Sequence, residues 1–471
     1  MNKNIILFPA FAVLGIFFFF GLGKFPFLDY DEATYALVTV ETFGSNNQLV
    51  LSHLGQPWLD KPPLYFWLAM GSIKILGVSE WAMRFQAALS GILAVILTFF
   101  IARRLSGNQT VAWLSALALL LNGAFMFSAR QFRLDVPVTT AILFSLFSFL
   151  KGLEKRPWLL GVWIGIGIGF MFKSVIAFLA IPIILLYALL NREWRWAKSP
   201  YLWLGFVGAL GIALPWNIYQ WKIYPKAFSD TYLHLILSRY FRPVGGDANS
   251  RFFYYFEWMA KLMEPWFLLF WVAVSWLAVR FGRKLFREKI FFILTVVLGV
   301  FLFFQISVTK YFYYLNPLFP FLAIFLAWTG YLFYSTRRKS QVALRIVLAV
   351  ILLAGFASVL WQISEIKGGG TGQYTLAEDE KQIGLYLDQE HGRGKFKVYT
   401  SNFYNYETIY YYGRGASFEL APLGDIDASP HFLIVPNDIL AVYELDPALK
   451  NRSSVIYEGK KLTLFKISEA E

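Results

Sequence analysis

Eleven apolar runs set the strongest constraint on how this chain can fold. Each is long enough to cross, or nearly cross, the ~30 Å hydrocarbon core of a bilayer. In lipid every backbone N–H and C=O group needs a partner within the protein, so such runs form helices. The sequence therefore predicts a mostly α, polytopic membrane protein with about 11 transmembrane helices. The runs lie at about residues 5–23, 85–102, 109–127, 136–151, 157–172, 174–190, 201–219, 265–280, 290–307, 313–333 and 342–362.

The distribution of charge predicts the orientation of these helices. Alternate connections between the runs hold 18 basic and three acidic residues, whereas the opposite connections up to residue 362 hold 14 basic and 11 acidic residues. Because cytoplasmic loops carry an excess of Lys and Arg, the first set is predicted to be cytoplasmic, together with the N-terminus. The formal net charge of +13 then reflects topology in the inner (plasma) membrane, and no nucleic-acid partner is predicted.

Two domains are predicted. Residues 1–364 form the membrane domain, whose outer side carries two long loops, at 24–84 and 220–264; within the first, residues 30–43 and 64–76 are predicted as helices along the membrane surface. After a GGGTG linker at 368–372, the tail carries 16 acidic and 11 basic residues, as a soluble unit does. Residues 365–471 are therefore predicted as a small extracytoplasmic α/β domain, with a helix at 376–390 and strands at 396–401, 431–436, 454–459 and 461–467.

Almost all ionisable residues of the membrane domain lie at the predicted outer ends of the runs. Charge near hydrocarbon is costly, so such residues are candidates for function. Because several outer loops contribute isolated charges, we expect a cavity at the outer leaflet that is open to both lipid and water. The residues concerned are Asp31, Glu32, Lys61, Arg130, Arg133, Asp135, Lys173, His234, Arg239, Arg242, Glu257, Glu264 and Lys310.

These residue types fit one chemistry well. A carboxylate can act as general base on an acceptor hydroxyl, and Lys or Arg can stabilise a departing phosphate. Aromatic side chains, which make up 19% of the chain, offer apolar faces with polar tips to a sugar. The chain has no cysteine, which excludes thiolate chemistry. Since nucleotide sugars are absent outside the cell, the sequence predicts transfer of a sugar from a polyprenyl phosphate.

Each candidate residue also has a purely structural interpretation. Asp31 could cap a helix, Glu32 could orient Lys61 or cap the same helix, and Asp135 could be the N-cap of the span that follows it. Arg133 could contact lipid headgroups. Lys61 and Lys310 could extend their ammonium groups to the membrane interface.

Six pieces of the sequence, in order over nearly 300 residues, resemble the GT-C superfamily of glycosyltransferases that use lipid-linked sugars. The chain is most similar to the aminoarabinose transferases of lipid A, and more distantly to the protein O-mannosyltransferases. The pieces are DEATYA at 31–36, DKPPLYFWL at 60–68, RLDVP at 133–137, PWNIY at 215–219, LSRYF at 237–241 and TKYFYYLNPLFP at 309–320.

The resemblance implies an inverting transferase that depends on undecaprenyl phosphate. Asp31 matches the acid proposed as the base, and Lys61, Arg239, Lys310 and Tyr314 match positions around the lipid phosphate. With the neighbouring residues, the candidate catalytic acids are Asp31, Glu32 and Asp135. The candidate donor-phosphate residues are Lys61, Arg239, Lys310, Tyr314, Arg133 and Tyr35.

The sequence departs from the family at Asp60, where Glu is usual, and at His234, which replaces an acidic position. No metal site is predicted and no cofactor is required, although dependence on a divalent metal is left open. The predicted partners are the polyprenyl-phosphate-linked sugar, a lipid or glycan acceptor, and membrane lipids. The alternatives are a protein O-glycosyltransferase, a transporter or flippase for lipid-linked sugars, and a non-catalytic assembly or receptor protein.

Overall fold

A computed structural model describes residues 16, 18–230, 252–262, 265–336, 341–368, 373–390, 396–400, 406–413, 418–422, 431–437 and 453–468. The chain is mostly helical, as predicted. Its helices are α1 (Asp29–Gly44), α2 (Leu64–Leu76), α3 (Glu80–Ser106), α4 (Gln109–Leu120), α5 (Gly123–Ser128), α6 (Asp135–Gly152), α7 (Leu160–Lys173), α8 (Ala180–Asn191), α9 (Pro200–Ile223), α10 (Pro225–Phe228), α11 (Tyr254–Leu262), α12 (Trp266–Phe281), α13 (Ile290–Ile306), α14 (Leu318–Thr336), α15 (Gln341–Gly368), α16 (Gln373–Gln389) and α17 (Tyr406–Tyr412). A short hairpin, β1 (Ser52–His53) and β2 (Gln56–Pro57), lies between α1 and α2.

The apolar runs predicted from residue 85 onwards coincide with helices, whereas most of the run at 5–23 lies outside the described residues. Among the described residues, six helical segments are long and apolar enough to cross a membrane. One of them joins two predicted spans, α7 and α8, through a 3-10 helix at Ser174–Leu179. The six segments are Glu80–Ser106, Asp135–Gly152, Arg156–Asn191, Pro200–Ile223, Trp266–Arg287 and Leu318–Thr336.

Helix α7 packs closely against α6 on one side and α9 on the other because its sequence, GVWIGIGIG, repeats glycine. A Cβ added at Gly169 would lie 3.1 Å from the Ala141 Cβ of α6. One added at Gly167 would lie 3.0 Å from the Ala209 Cα of α9. Small residues let helix backbones approach in membranes, where dispersion contacts replace the hydrophobic effect between helices. This packing places Lys173, the last residue of α7, beside the start of α6.

Helix α1 contains residues 30–43, and protein covers its central part; that these residues lie along the membrane surface stays a prediction. Residues 32–39 are all buried, on every side of the helix. The polar residues Glu32 and Thr39 are both fully buried, and Thr39 donates its hydroxyl hydrogen bond to the Tyr35 carbonyl one turn earlier. The apolar spacing seen in the sequence is real, but the remaining side of the helix is also covered by protein.

The C-terminal segment contains a five-stranded sheet in the order β4-β3-β5-β7-β6. Strand β3 pairs in parallel with β4 and β5, and β7 pairs antiparallel with β5 and β6. The Asp379 carboxylate of α16 accepts hydrogen bonds from the Tyr457 hydroxyl and from the backbone N–H groups of Lys461 and Leu462. This fixes the helix to the β6–β7 hairpin. The strands are β3 (Phe396–Thr400), β4 (Phe418–Pro422), β5 (His431–Pro436), β6 (Ser453–Glu458) and β7 (Leu462–Ile467).

We predict that Gly205→Ala in α9 destabilises the protein. A Cβ at this position would collide with the carbonyl oxygen of Leu160, and overpacking of this kind typically costs about 1–3 kcal/mol. Gly211→Ala in the same helix is the matched control, because a Cβ there meets nothing within 4 Å. Thermal unfolding in detergent measures both; equal melting temperatures for the two variants would contradict the packing described here.

Candidate active site

The first turn of α1 is held by a buried ion pair between Glu32 and Arg84. The Arg84 Nε lies 2.7 Å from Glu32 Oε1, and its Nη2 donates to Glu32 Oε2 at 2.9 Å. Its remaining N–H groups donate to the carbonyls of Leu22, Phe25 and Pro26. The guanidinium thus fastens the segment that leads into α1 to the first turns of α3.

Both oxygens of Glu32 are also occupied by backbone donors. Oε2 accepts from Leu28 N–H at 2.8 Å, and Oε1 accepts from Phe132 N–H at 2.7 Å. The side chain is fully buried. A carboxylate in this position is well placed to join three chain segments, and it is a poor candidate for exchanging a proton with substrate. Its neighbour Asp31 has a different environment.

Four charged side chains form a row of alternating sign that begins at Asp31 of α1. The Arg133 Nη2 lies 2.9 Å from Asp31 Oδ2, and its Nε lies 3.7 Å from Asp135 Oδ2. Lys173 Nζ donates to Asp135 Oδ1. The two middle members are almost completely buried, whereas the end members reach a pocket: the exposed fraction is 29% for the Asp31 side chain and 14% for that of Lys173.

A tyrosine cluster covers this row of charged side chains. The Arg133 guanidinium carbon lies 3.4 Å from the ring centroid of Tyr313, and Lys173 Nζ lies 4.7 Å from that of Tyr314. Aromatic faces attract cations, and the attraction is stronger where water is excluded. The rings come from the 3-10 helix Phe312–Leu315, which precedes α14. They hold the two cations in place without neutralising them.

The two ends of this row, Asp31 and Lys173, line a polar pocket of about 160 Å³. Carboxylates, ammonium groups and phenol hydroxyls converge there, a combination that can bind an anion and accept a proton. The lining residues are Asp31, Thr34, Tyr35, Trp58, Asp60, Lys61, Lys173, Thr309, Tyr311, Tyr313 and Tyr314.

A second, mostly apolar cavity continues from the polar pocket. The two cavities share Asp60, Lys61, Lys173 and Tyr314. From these residues the second cavity extends between the 3-10 helix after α7 and the end of α13. Its other lining residues are Ser174, Val175, Ile176, Phe303, Phe304 and Ser307. The combination fits a ligand with an anionic head and an apolar chain.

The structure brings most of the predicted site residues together. Asp31, Tyr35, Lys61 and Tyr314 line the polar pocket, and Arg133 and Asp135 lie directly behind Asp31. Arg239 lies outside the described residues, as does His234.

Lys310 does not line either cavity. Its Nζ donates to the Ser307 carbonyl at 2.6 Å, the residue is 3% exposed, and burial lowers the pKa of its ammonium group. Lys173 lines both cavities in its place, although the sequence analysis did not include it in the phosphate set. The signal for Lys173 was a single cation at the outer end of an otherwise apolar run.

Among the described residues, no group of three or more His, Asp or Glu side chains is arranged to hold a metal ion.

The chain is similar in sequence to known glycosyltransferases. The family "Dolichyl-phosphate-mannose-protein mannosyltransferase" matches residues 60–219. An undecaprenyl phosphate-alpha-4-amino-4-deoxy-L-arabinose arabinosyl transferase from Proteus mirabilis is 28% identical over 342 residues, which cover 70% of this chain and 60% of the relative. The corresponding enzyme of Pectobacterium atrosepticum is 29% identical over 314 residues, which cover 63% of this chain and 54% of the relative. The chain therefore spans less than two thirds of the length of these relatives.

The fold matches a solved structure over almost its full length. The crystal structure of ArnT from Cupriavidus metallidurans bound to undecaprenyl phosphate has a TM-score of 0.76 at 18% identity and covers 99% of this chain and 98% of that one. An oligosaccharyltransferase from Archaeoglobus fulgidus has a TM-score of 0.55 at 11% identity and covers 96% and 72%. The GT-C fold is thereby shown, and the predicted resemblance to aminoarabinose and O-mannosyl transferases is confirmed.

We predict that Arg84→Met strongly destabilises the protein. Removing one partner of a buried ion pair leaves an uncompensated charge and typically costs about 3–5 kcal/mol. Glu154→Gln is the control, because it breaks the ion pair between Glu154 and Arg104. The Glu154 side chain is 61% exposed, and exposed ion pairs contribute little to stability. Thermal unfolding in detergent should show a large drop only for Arg84→Met. An Arg84→Met variant as stable as the unmodified protein would remove the proposed role of this pair.

Proposed function

We propose that this chain, which has the GT-C fold of sugar transferases that use undecaprenyl phosphate, is itself a membrane glycosyltransferase. It transfers a sugar from a polyprenyl phosphate to a hydroxyl or phosphate of a glycolipid or cell-envelope glycan. The similarity to the arabinosyl transferases and the solved complex with undecaprenyl phosphate support the donor class.

The observation that carries the proposal is the continuity of the two cavities. A lipid phosphate placed between Lys61 and Lys173 has an apolar cavity on one side, which suits its prenyl chain, and Asp31 on the other. The donor's phosphate and sugar would then lie in the polar pocket, where tyrosines and Trp58 offer flat surfaces to a sugar ring. Charge-assisted hydrogen bonds from lysine to phosphate are stronger than neutral ones.

The proposed reaction is a single displacement. An Asp31 carboxylate oxygen accepts the proton of the acceptor hydroxyl, and the hydroxyl oxygen forms a bond to the anomeric carbon. The bond between that carbon and the phosphate oxygen breaks, and its electron pair leaves with the polyprenyl phosphate. One displacement inverts the anomeric configuration. Lys61 and Lys173 stabilise the charge that develops on the departing phosphate.

The remaining residues support this step from behind the pocket. Arg133 orients Asp31 through the hydrogen bond that its Nη2 donates to Asp31 Oδ2. Asp135 positions Arg133 and Lys173, and we assign Glu32 to the positioning of α1. Tyr35 and Tyr314 line the pocket and are proposed as contacts to the donor. The role of Arg239 at the phosphate stays a prediction.

The proposed topology follows the charge distribution of the connections. About 11 spans place the N-terminus in the cytoplasm and the active site on the outer side of the inner membrane. The segment 365–471 is proposed as an extracytoplasmic domain on that same side. A donor carried by a membrane lipid reaches such a site from the outer leaflet.

We predict that Asp31→Asn lowers the turnover number by at least ~10²-fold, the lower range for a positioned acid–base group. The amide keeps the shape of the side chain and loses its ability to accept a proton. Binding of the donor lipid should persist, because other residues contact the phosphate. Transfer assays with purified protein in proteoliposomes, together with donor-binding measurements, test both statements.

Asp230→Asn is the control for this experiment, since Asp230 is exposed and does not line the polar pocket. Near-normal transfer by Asp31→Asn would exclude it as the base. If Glu32→Gln were inactive while folded and Asp31→Asn were active, the neighbouring carboxylate would be the base.

We also predict that Lys61→Met and Lys173→Met each weaken donor binding by about tenfold or more, because a charged hydrogen bond to phosphate is typically worth about 1.5–3 kcal/mol. Lys310→Met should have a smaller effect, since its ammonium group points to the Ser307 carbonyl. Lys74→Met, at an exposed position of α2, serves as the control. A titration with polyprenyl phosphate measures the affinity of all four variants. An equal loss of affinity in Lys310→Met and Lys61→Met would indicate that Lys310 also binds the phosphate.

A further inference from the structure

Part of the C-terminal segment is packed into the core of the membrane domain. Tyr411 and Tyr412, at the end of α17, are 8% and 6% exposed and belong to the same core as the transmembrane helices. Ile409, on the same short helix, belongs to the separate core of the C-terminal sheet. Helix α17 therefore joins the two units, and it does so beside the entrance to α1.

Tyr412 makes two hydrogen bonds across this contact. Its hydroxyl donates to Glu80 Oε1 at 2.8 Å and accepts from the backbone N–H of Phe27 at 3.3 Å. Burial raises the pKa of the Tyr412 hydroxyl, and the adjacent Glu80 carboxylate raises it further, so the group stays protonated and keeps donating. Lys381 of α16 completes the contact, with Nζ 2.8 Å from the same Glu80 oxygen.

The segment that Tyr412 contacts leads directly to Asp31. The N–H of Phe27 is held by Tyr412, and the N–H of the next residue, Leu28, is held by Glu32. The Phe27 ring is fully buried between the Arg84 guanidinium, 5.1 Å from its centroid, and the Tyr411 ring, which packs edge to face at 4.8 Å. Asp31 lies four residues beyond Phe27, in the first turn of α1.

We propose that Tyr412 and Lys381 are positioning residues for Asp31, so that the C-terminal domain is a working part of the active site. They hold the N-terminal end of α1 against the start of α3 through Phe27 and Glu80. Neither touches the pocket, so they act on the reaction through the placement of α1. This inference rests on the proposed function in so far as Asp31 acts as the base.

The matched pair for the test is Tyr412→Phe and Tyr457→Phe. Both variants keep the ring and remove one hydroxyl bonded to a carboxylate, but Tyr457 bonds to Asp379 within the C-terminal domain and does not reach the membrane domain. In the full-length protein, Tyr412→Phe should lower the turnover number by about tenfold, since small displacements of a reacting group are expensive in rate. The KM for the donor should stay within about twofold, because the phosphate-binding residues are not moved. Tyr457→Phe should change neither quantity.

Hydrogen exchange measured by mass spectrometry provides a readout that does not depend on activity. In Tyr412→Phe, amides of residues 22–36 should exchange faster, whereas those of α6 and of the C-terminal sheet should not change. Unchanged exchange at 22–36 would overturn the proposal even if turnover fell. If the unmodified protein shows no transfer, the proposed function fails, and hydrogen exchange alone still decides whether the contact positions α1.

Lys381 provides a second, independent variant pair. Lys381→Met should lower turnover in the same manner as Tyr412→Phe, and Lys381→Arg, which keeps the ion pair with Glu80, should restore most of it. Normal turnover in both Lys381→Met and Tyr412→Phe would overturn the proposal. Equal losses in Lys381→Met and Lys381→Arg, with normal exchange at 22–36, would also overturn it.

Discussion

The buried pair of Glu32 and Arg84 is the interaction on which the site depends. It joins α1, α3, the segment before α1 and the loop that contains Phe132, and every hydrogen-bonding group of the guanidinium takes part. Because Arg133 follows Phe132 directly, the same pair brings Arg133 to Asp31. A buried ion pair is not in itself strongly stabilising, but its loss would leave a charge without compensation. Its contribution here is to select one arrangement of the segments around the pocket.

Two adjacent acids thus lie in different environments because α1 rotates successive side chains by about 100°. Glu32 points into the protein, where each oxygen meets fixed donors. Asp31 points toward the pocket and keeps one buried guanidinium as its neighbour. The same pattern is seen at Lys173: the buried Asp135 carboxylate contacts its ammonium group, and Lys173 faces both cavities. In each pair a buried side chain, Arg133 or Asp135, orients a partly accessible one, Asp31 or Lys173.

The candidate site, at the starts of α1 and α6 and the end of α7, suits a substrate that is half lipid. The apolar cavity between Val175 and Phe303 opens from the lysines that would bind a phosphate. The contact of α17 with Phe27 and Glu80 adds the C-terminal domain to the same assembly. The proposed chemistry, the proposed lipid binding and the docking of the C-terminal segment then share one element, helix α1, in which residues 32–39 are all buried.

The sequence by itself determined the helices and the residue types of the site. Apolar length and the distribution of Lys and Arg are local properties, so they predicted the runs from residue 85 onwards and a cluster of charges at one end of them. Only the tertiary structure decided which charges meet. Asp31 and Arg133 are 102 residues apart in the chain, and Glu32 and Arg84 are 52 apart. The position of Lys173 at both cavities, the position of Lys310 outside them and the burial of residues 32–39 all depend on such distant packing, which leaves no periodic signal in the sequence.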